Sequence, residues 1–86
     1  MNWLFSKPEW SFSIKPDENG KKLAGFKSGN AVTCTASDGE TVGAVMDRFN
    51  TYRGPEQQIR SLWTVDGKEL PYNTVIHKNM ITIVRG

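Results

Sequence analysis

Trp10-Ser11-Phe12-Ser13-Ile14 alternates apolar and polar residues without a break, the period of a strand buried on one face. Pro16-Asp17-Glu18-Asn19-Gly20 follows with turn chemistry, the Asn-Gly pair offering the positive φ of a tight reversal. From there to Gly29-Asn30 the chain is polar, with Leu23 and Phe26 as its only large apolar residues, and reads as a long loop or irregular hairpin tip. Ala31-Val32-Thr33-Cys34-Thr35-Ala36 is a second β-rich run, expected antiparallel to the first.

Val42, Val45, Met46 and Phe49 stand at i, i+3, i+4 and i+7, which places them on one face of a helix. Thr41 offers an N-cap hydroxyl, and the helix is expected to reach Tyr52 and end near Gly54-Pro55. Ile59 to Val65 reads as a strand and Asp66-Gly67 as a tight turn. Thr74-Val75-Ile76 reads as a short strand, and Met80-Ile81-Thr82-Ile83-Val84 as a β-branched strand of the kind found at a sheet centre.

A helix between two hairpin-like halves is accommodated by a single mixed sheet, with the first and last strands adjacent and the helix across one face. The expected fold class is therefore α+β, with four to five strands and one helix. Its expected core is Phe12, Ile14, Val32, Val42, Val45, Phe49, Leu62, Val65, Ile81 and Ile83. Residues 1–9 show no period and read as an N-terminal arm, leaving 10–86 as one domain.

Three strings carry a resemblance to the ubiquitin-like β-grasp superfamily, closest in pattern to small sulfur-carrier proteins and ubiquitin. They are Asp38-Gly39-Glu40-Thr41-Val42-Gly43-Ala44-Val45, the turn that opens the helix, the hairpin Val65-Asp66-Gly67-Lys68-Glu69-Leu70, and the closing stretch Asn73 to Val84. The resemblance covers residues 31–86 and implies the β-grasp fold. It also implies two ways of working: binding through the sheet, or activation of a C-terminal carboxylate. Carriers of this type end in two glycines that enter an activating enzyme; at the matching position this chain has Arg85-Gly86. Ser61-Leu62-Trp63-Thr64-Val65 is similar to the strand at the centre of ubiquitin's binding face. With Trp63 and Val65 pointing inward, Thr64 would take the outward position.

Composition narrows the function classes. Cys34 is the only cysteine, so an internal disulfide or a cysteine metal site has no partner residues, and His77, the only histidine, stands in no Ser-His-Asp order, Gly-x-Ser-x-Gly elbow or His-Glu-x-x-His pair. Neither catalytic residues, a metal nor a cofactor is expected. The net charge of +2 comes entirely from residues 1–30, with five Lys against three acids, while residues 31–86 balance six against six. Gly20-Lys21-Lys22 and Lys27 lack phosphate-loop spacing, so nucleic-acid binding is disfavoured. The apolar start Trp3-Leu4-Phe5 is interrupted by Lys7, Pro8 and Glu9, too short for a membrane span or signal core, and a cytoplasmic location is expected.

Trp3, Leu4, Phe5 and Trp10 are surplus to the expected core. They either fold back over an edge or the open sheet face, or dock on a partner. The expectation is a non-enzymatic module that binds a protein, or a second copy of itself, through the sheet face, the edge strand or this arm. Candidate contact residues are Trp3, Leu4, Phe5, Trp10 and Thr64. The alternative is a carrier or modifier activated at Gly86, next to Arg85.

Overall fold

The computed structural model describes residues 9–85. Trp3, Leu4, Phe5 and Gly86, all named above as candidates, lie outside the described residues. Four strands and one helix follow in the order β1 (Glu9–Pro16), β2 (Val32–Ser37), α1 (Val42–Asn50), β3 (Leu62–Trp63) and β4 (Ile81–Val84). The sheet order is β2-β1-β4-β3, with β1 parallel to β4 and the two outer pairs antiparallel. The fold is thus α+β with a four-stranded mixed sheet, and its first and last strands are neighbours as expected. Thr74-Val75-Ile76, expected as a short strand, leaves only the single bridge of Val75 with Thr41, and after the Asp66-Gly67 turn Glu69 forms a single bridge with Trp63.

The helix starts where its chemistry says it should. Thr41 is extended, at φ −98° and ψ 163°, and its Oγ1 accepts the Ala44 N–H at 3.2 Å. Val42, Val45 and Met46 are buried together with Phe12, Ile14, Cys34, Ala36 and Leu62, and Phe49 packs half-buried at the margin. The helix stops at Asn50, short of the expected Gly54, and Gly54 is extended at φ −68° rather than left-handed. Asn50 explains the stop: its Oδ1 accepts the Ile59 N–H at 2.7 Å and its Nδ2 donates to the Ile59 carbonyl at 2.9 Å. The amide satisfies both backbone groups of a residue nine positions on and draws Ile59 into the core.

The segment between β1 and β2 is not a solvent-exposed tip. Leu23 and Phe26 are both buried and join the main core. Arg53 holds the segment down by donating to the Ala24 carbonyl at 2.7 Å and the Gln57 carbonyl at 3.2 Å. Its guanidinium lies 5.7 Å from the Phe26 ring centre and 6.0 Å from that of Phe49. Gln57 Oε1 accepts the Ala24 N–H at 2.8 Å.

Asn19-Gly20 does not form the expected positive-φ reversal: Asn19 has φ −77°, and Gly20 is absent from the glycines with positive φ. Gly20 opens a single 3-10 turn, with its N–H bonded to Asp17 Oδ1 at 2.7 Å. The requirement for glycine is space, because a Cβ built there would lie 2.3 Å from the Val84 carbonyl oxygen. Asp66-Gly67 behaves as expected, with Gly67 at φ +93°.

The largest departure concerns β4 and β3. Ile81 and Val65, expected in the core, are 54% and 71% exposed, and Ile83 is only half-buried. Thr82 and Val84 occupy the inward positions. The register requires this: Ile14 pairs with Thr82 and Pro16 with Val84, so these residues share the face on which Phe12 and Ile14 are buried. The inward hydroxyl of Thr82 is satisfied by donating to the Ser13 carbonyl at 3.1 Å. Leu62, opposite Val84, is inward, so Trp63, opposite Ile83, faces away from the helix rather than into the core.

The contact at Gly20 yields a contrast. Gly20→Ala is expected to lower stability by about 1–3 kcal/mol, because Val84 belongs to the central ladder and cannot retreat. Gly54→Ala, with no atom within 4 Å of the added methyl, is expected to change it by less than about 0.5 kcal/mol. Urea unfolding of the two variants checks both values.

Candidate functional site

One face of the sheet packs against the helix and core. The other is formed by the alternate residues of each strand: Ser11, Ser13 and Lys15 on β1, Thr33 and Thr35 on β2, Ile81 and Ile83 on β4, and Trp63 on β3. It is polar across β2 and the start of β1 and apolar at the β4–β3 corner. There Trp63, Val65, Ile81 and Ile83 line a groove of about 450 Å³, with Lys15 and Arg85 at its border.

The corner is stiffened from its edges. Trp63 Nε1 donates to Ser61 Oγ at 2.7 Å, and the Arg85 guanidinium stacks 4.0 Å from the Trp63 ring centre. Arg85 Nε is in turn 3.5 Å from Asp17 Oδ2. A cation over a partly exposed aromatic ring is worth about 0.5–1 kcal/mol, enough to bias the orientation of the half-buried Trp63 ring. Below the groove, the Asp17 N–H donates to the Val84 carbonyl at 3.1 Å, which ties the turn after β1 to the end of β4.

Thr64 does not take the outward central position expected of it. Its Oγ1 accepts the Lys68 N–H at 3.0 Å and donates to the Asp66 carboxylate, while its backbone N–H donates to the Lys68 carbonyl at 2.8 Å. Thr64 builds the turn, and the outward position belongs to Trp63. Trp10 is also displaced from the expected surface. It shares the inward face with Phe12, opposite the buried Ala36, and is half-buried. Its Nε1 is shut off from solvent without a hydrogen-bond partner. Thr64 and Arg85 both line the groove, whereas Ile81, Ile83, Trp63 and Val65 were not among the expected contact residues. A usable sign of them was the run Met80 to Val84, which is rich in β-branched residues in both phases and so demands cover on both faces.

The outer edge of β2 is closed by side chains. Glu40 Oε1 accepts the Ser37 N–H at 3.2 Å, the Glu40 N–H donates to the Ser37 carbonyl at 3.0 Å, and Arg48 donates to the Thr35 carbonyl at 2.7 Å. Arg48 and Glu40 are also bonded to each other. Residues two apart along an edge turn their backbone groups the same way, so Thr35 and Ser37 lose most of what an added strand would pair with.

Other features hold no comparable arrangement. A hollow of about 510 Å³ beside α1 is floored by Thr41, Asp47 and Asn50, but the Thr41 hydroxyl and the Asn50 amide are already engaged in the cap and the Ile59 clasp. His77 is exposed. Among the described residues, no group of three or more His, Cys, Asp or Glu side chains is placed to hold a metal ion, and no helix is long and apolar enough to cross a membrane. Comparison with protein-family models, curated proteins and solved structures gave no match.

Cys34 lies on the inward face of β2, and burial pushes its thiol from 9.0 up to about 11, with the Arg48 charge opposing in part. Because the folded pKa is raised, the thiol's contribution to stability is fully present below about pH 9 and is lost as pH rises towards 11. The native thiol is therefore expected to resist a disulfide reagent at pH 8 and to react at once in urea. Stability measured between pH 9 and 11 is expected to fall, and the Cys34→Ala variant is expected to lack the portion of that fall due to the thiol.

Proposed function

We propose that this chain is a non-enzymatic, ubiquitin-like β-grasp module that binds a protein partner. Supporting the fold reading are the order β2-β1-β4-β3, the parallel central pair and a helix lying in sequence between the two antiparallel halves. Of the three surfaces available to such a module, the sheet face, the edge strand and the aromatic arm, the sheet face has the strongest support. The observation that carries it is the apolar corner on the face turned away from the helix, where exposed Val65 and Ile81 adjoin half-buried Trp63 and Ile83. Single exposed apolar residues are ordinary, but a contiguous group around a stacked tryptophan, bordered by cations, has the make-up of an interface centre with a polar rim. The closed edge of β2 weighs against strand addition there.

The carrier reading, with activation at Gly86, draws no similar support from the described residues. Arg85, the residue before it, is held against the domain by Asp17 and Trp63.

The experiment is a quantitative capture from the native host with the full chain as bait, comparing the unaltered protein with Ile81→Glu and Tyr52→Ala. Tyr52 is the most exposed aromatic residue described and lies outside the groove. A partner of the sheet face is expected to bind at least about tenfold more weakly to Ile81→Glu and unchanged to Tyr52→Ala. Equal binding to all three removes the sheet face as the contact.

A further inference from the structure

We infer that the occupant of the apolar corner is the same corner of a second copy of this chain, packed face to face about a two-fold axis that runs along the strands. The inference rests on the reading of the sheet face as the contact surface and names its partner. Its basis is one row of residues across the sheet. Lys15 pairs with Ile83, Ile83 with Trp63, and Trp63 forms its bridge with Glu69. Residues directly opposite one another point to the same face, and Leu62 and Leu70, hydrogen-bonded one step away, pack inward. From β1 to the segment that returns after the Asp66-Gly67 turn, the outward face therefore reads cation, apolar, apolar, anion.

Lys15 and Glu69 are both exposed, and among the described residues neither is in an ion pair. Three strand spacings separate them, about 14 Å, with Ile83 and Trp63 between, so the two charges of one chain do not meet. A two-fold axis along the strands, placed between β4 and β3 and midway between two facing sheets, exchanges the ends of the row. It sets Lys15 of each copy opposite Glu69 of the other, across the spacing of about 10 Å at which sheets pack. The same operation lays Trp63 of each copy on Ile83 of the other, and the Val65 side of the groove on Ile81. An axis across the strands would instead bring Lys15 onto Lys15 and Glu69 onto Glu69, an unfavourable meeting of like charges.

Such self-complementarity is what an isologous contact requires and what a contact with an unrelated protein does not. Arg85 leaves the balance unchanged, because Asp17 Oδ2 lies 3.5 Å from its Nε. The contact is small. Four apolar positions with Lys15 and Glu69 at the ends fall far short of the roughly 20–30 residues a side of a standard interface, so the dimer is transient, with a Kd on the order of 0.1 mM. A tighter partner of the sheet face would compete with the second copy for the same corner.

The test is the self-association of the full chain, followed by sedimentation and by amide shifts in nuclear magnetic resonance from about 10 µM to about 1 mM, a range that spans the expected Kd. The unaltered chain is expected to pass from monomer towards dimer over this range, with shifts at Lys15, Trp63, Glu69, Ile81 and Ile83 while Met46 and Asn50 on the helix stay fixed. Lys15→Glu and Glu69→Lys, both at exposed positions, are each expected to weaken association at least about tenfold. Mixing the two variants is expected to restore it, because each reversed charge then faces its complement on the other copy. A chain that stays monomeric at the highest concentration, shifts centred away from this row, or a mixture that does not associate overturns the inference. Monomeric behaviour together with loss of a captured partner in Ile81→Glu overturns the second copy alone and leaves the sheet face as the contact.

Discussion

The parallel pairing of β1 with β4 is the constraint on which the rest of the fold depends. It joins residues some seventy positions apart through Ser13 with Ile81, Ile14 with Thr82, Lys15 with Ile83 and Pro16 with Val84. Closing a loop of that length is entropically unfavourable, so the pairing has to be reinforced by everything around it. The Ser13 N–H donates to the Met80 carbonyl, the Asn79 N–H to the Ser11 carbonyl, and Thr82 Oγ1 to the Ser13 carbonyl. At the far end the Val84 carbonyl receives the Asp17 N–H while Gly20 packs directly on it. A side chain at position 20 would separate the first turn from the last strand.

That register also distributes chemistry between the two faces. By turning Thr82 and Val84 inward it turns Ile81 and Ile83 outward, and with them Trp63 on the neighbouring strand. The exposed corner is therefore a consequence of how the centre of the sheet is built rather than a feature of one loop. The same arrangement leaves the helix side closed by Val42, Val45 and Met46, and the β2 edge occupied by Glu40 and Arg48.

Side-chain amides and guanidinium groups complete what a short chain cannot build from regular structure. Asn50 substitutes for a strand partner at Ile59, and Arg53 with Gln57 anchors the segment carrying Leu23 and Phe26. A chain of this size buries a limited share of its surface, so drawing Phe26 and Ile59 into the core from outside the strands and helix is a substantial gain.

Local chemistry was legible in the sequence. The alternation of Trp10 to Ile14, the Thr41 cap, the helical spacing of Val42, Val45 and Met46, and the turn at Gly67 all depend on interactions within a few residues, and these elements appear where that spacing puts them. The adjacency of first and last strands followed from element order. What the sequence left open was phase and reach. Met80 to Val84 is apolar in both alternations, and the inward one is chosen by pairing with β1, a partner almost seventy residues away. Gly20 is required by the Val84 carbonyl rather than by its own φ, the helix ends where Asn50 meets Ile59, and Phe26 is buried because Arg53 holds it there. Each of these was decided by a contact between distant segments, and no local pattern encodes such a contact.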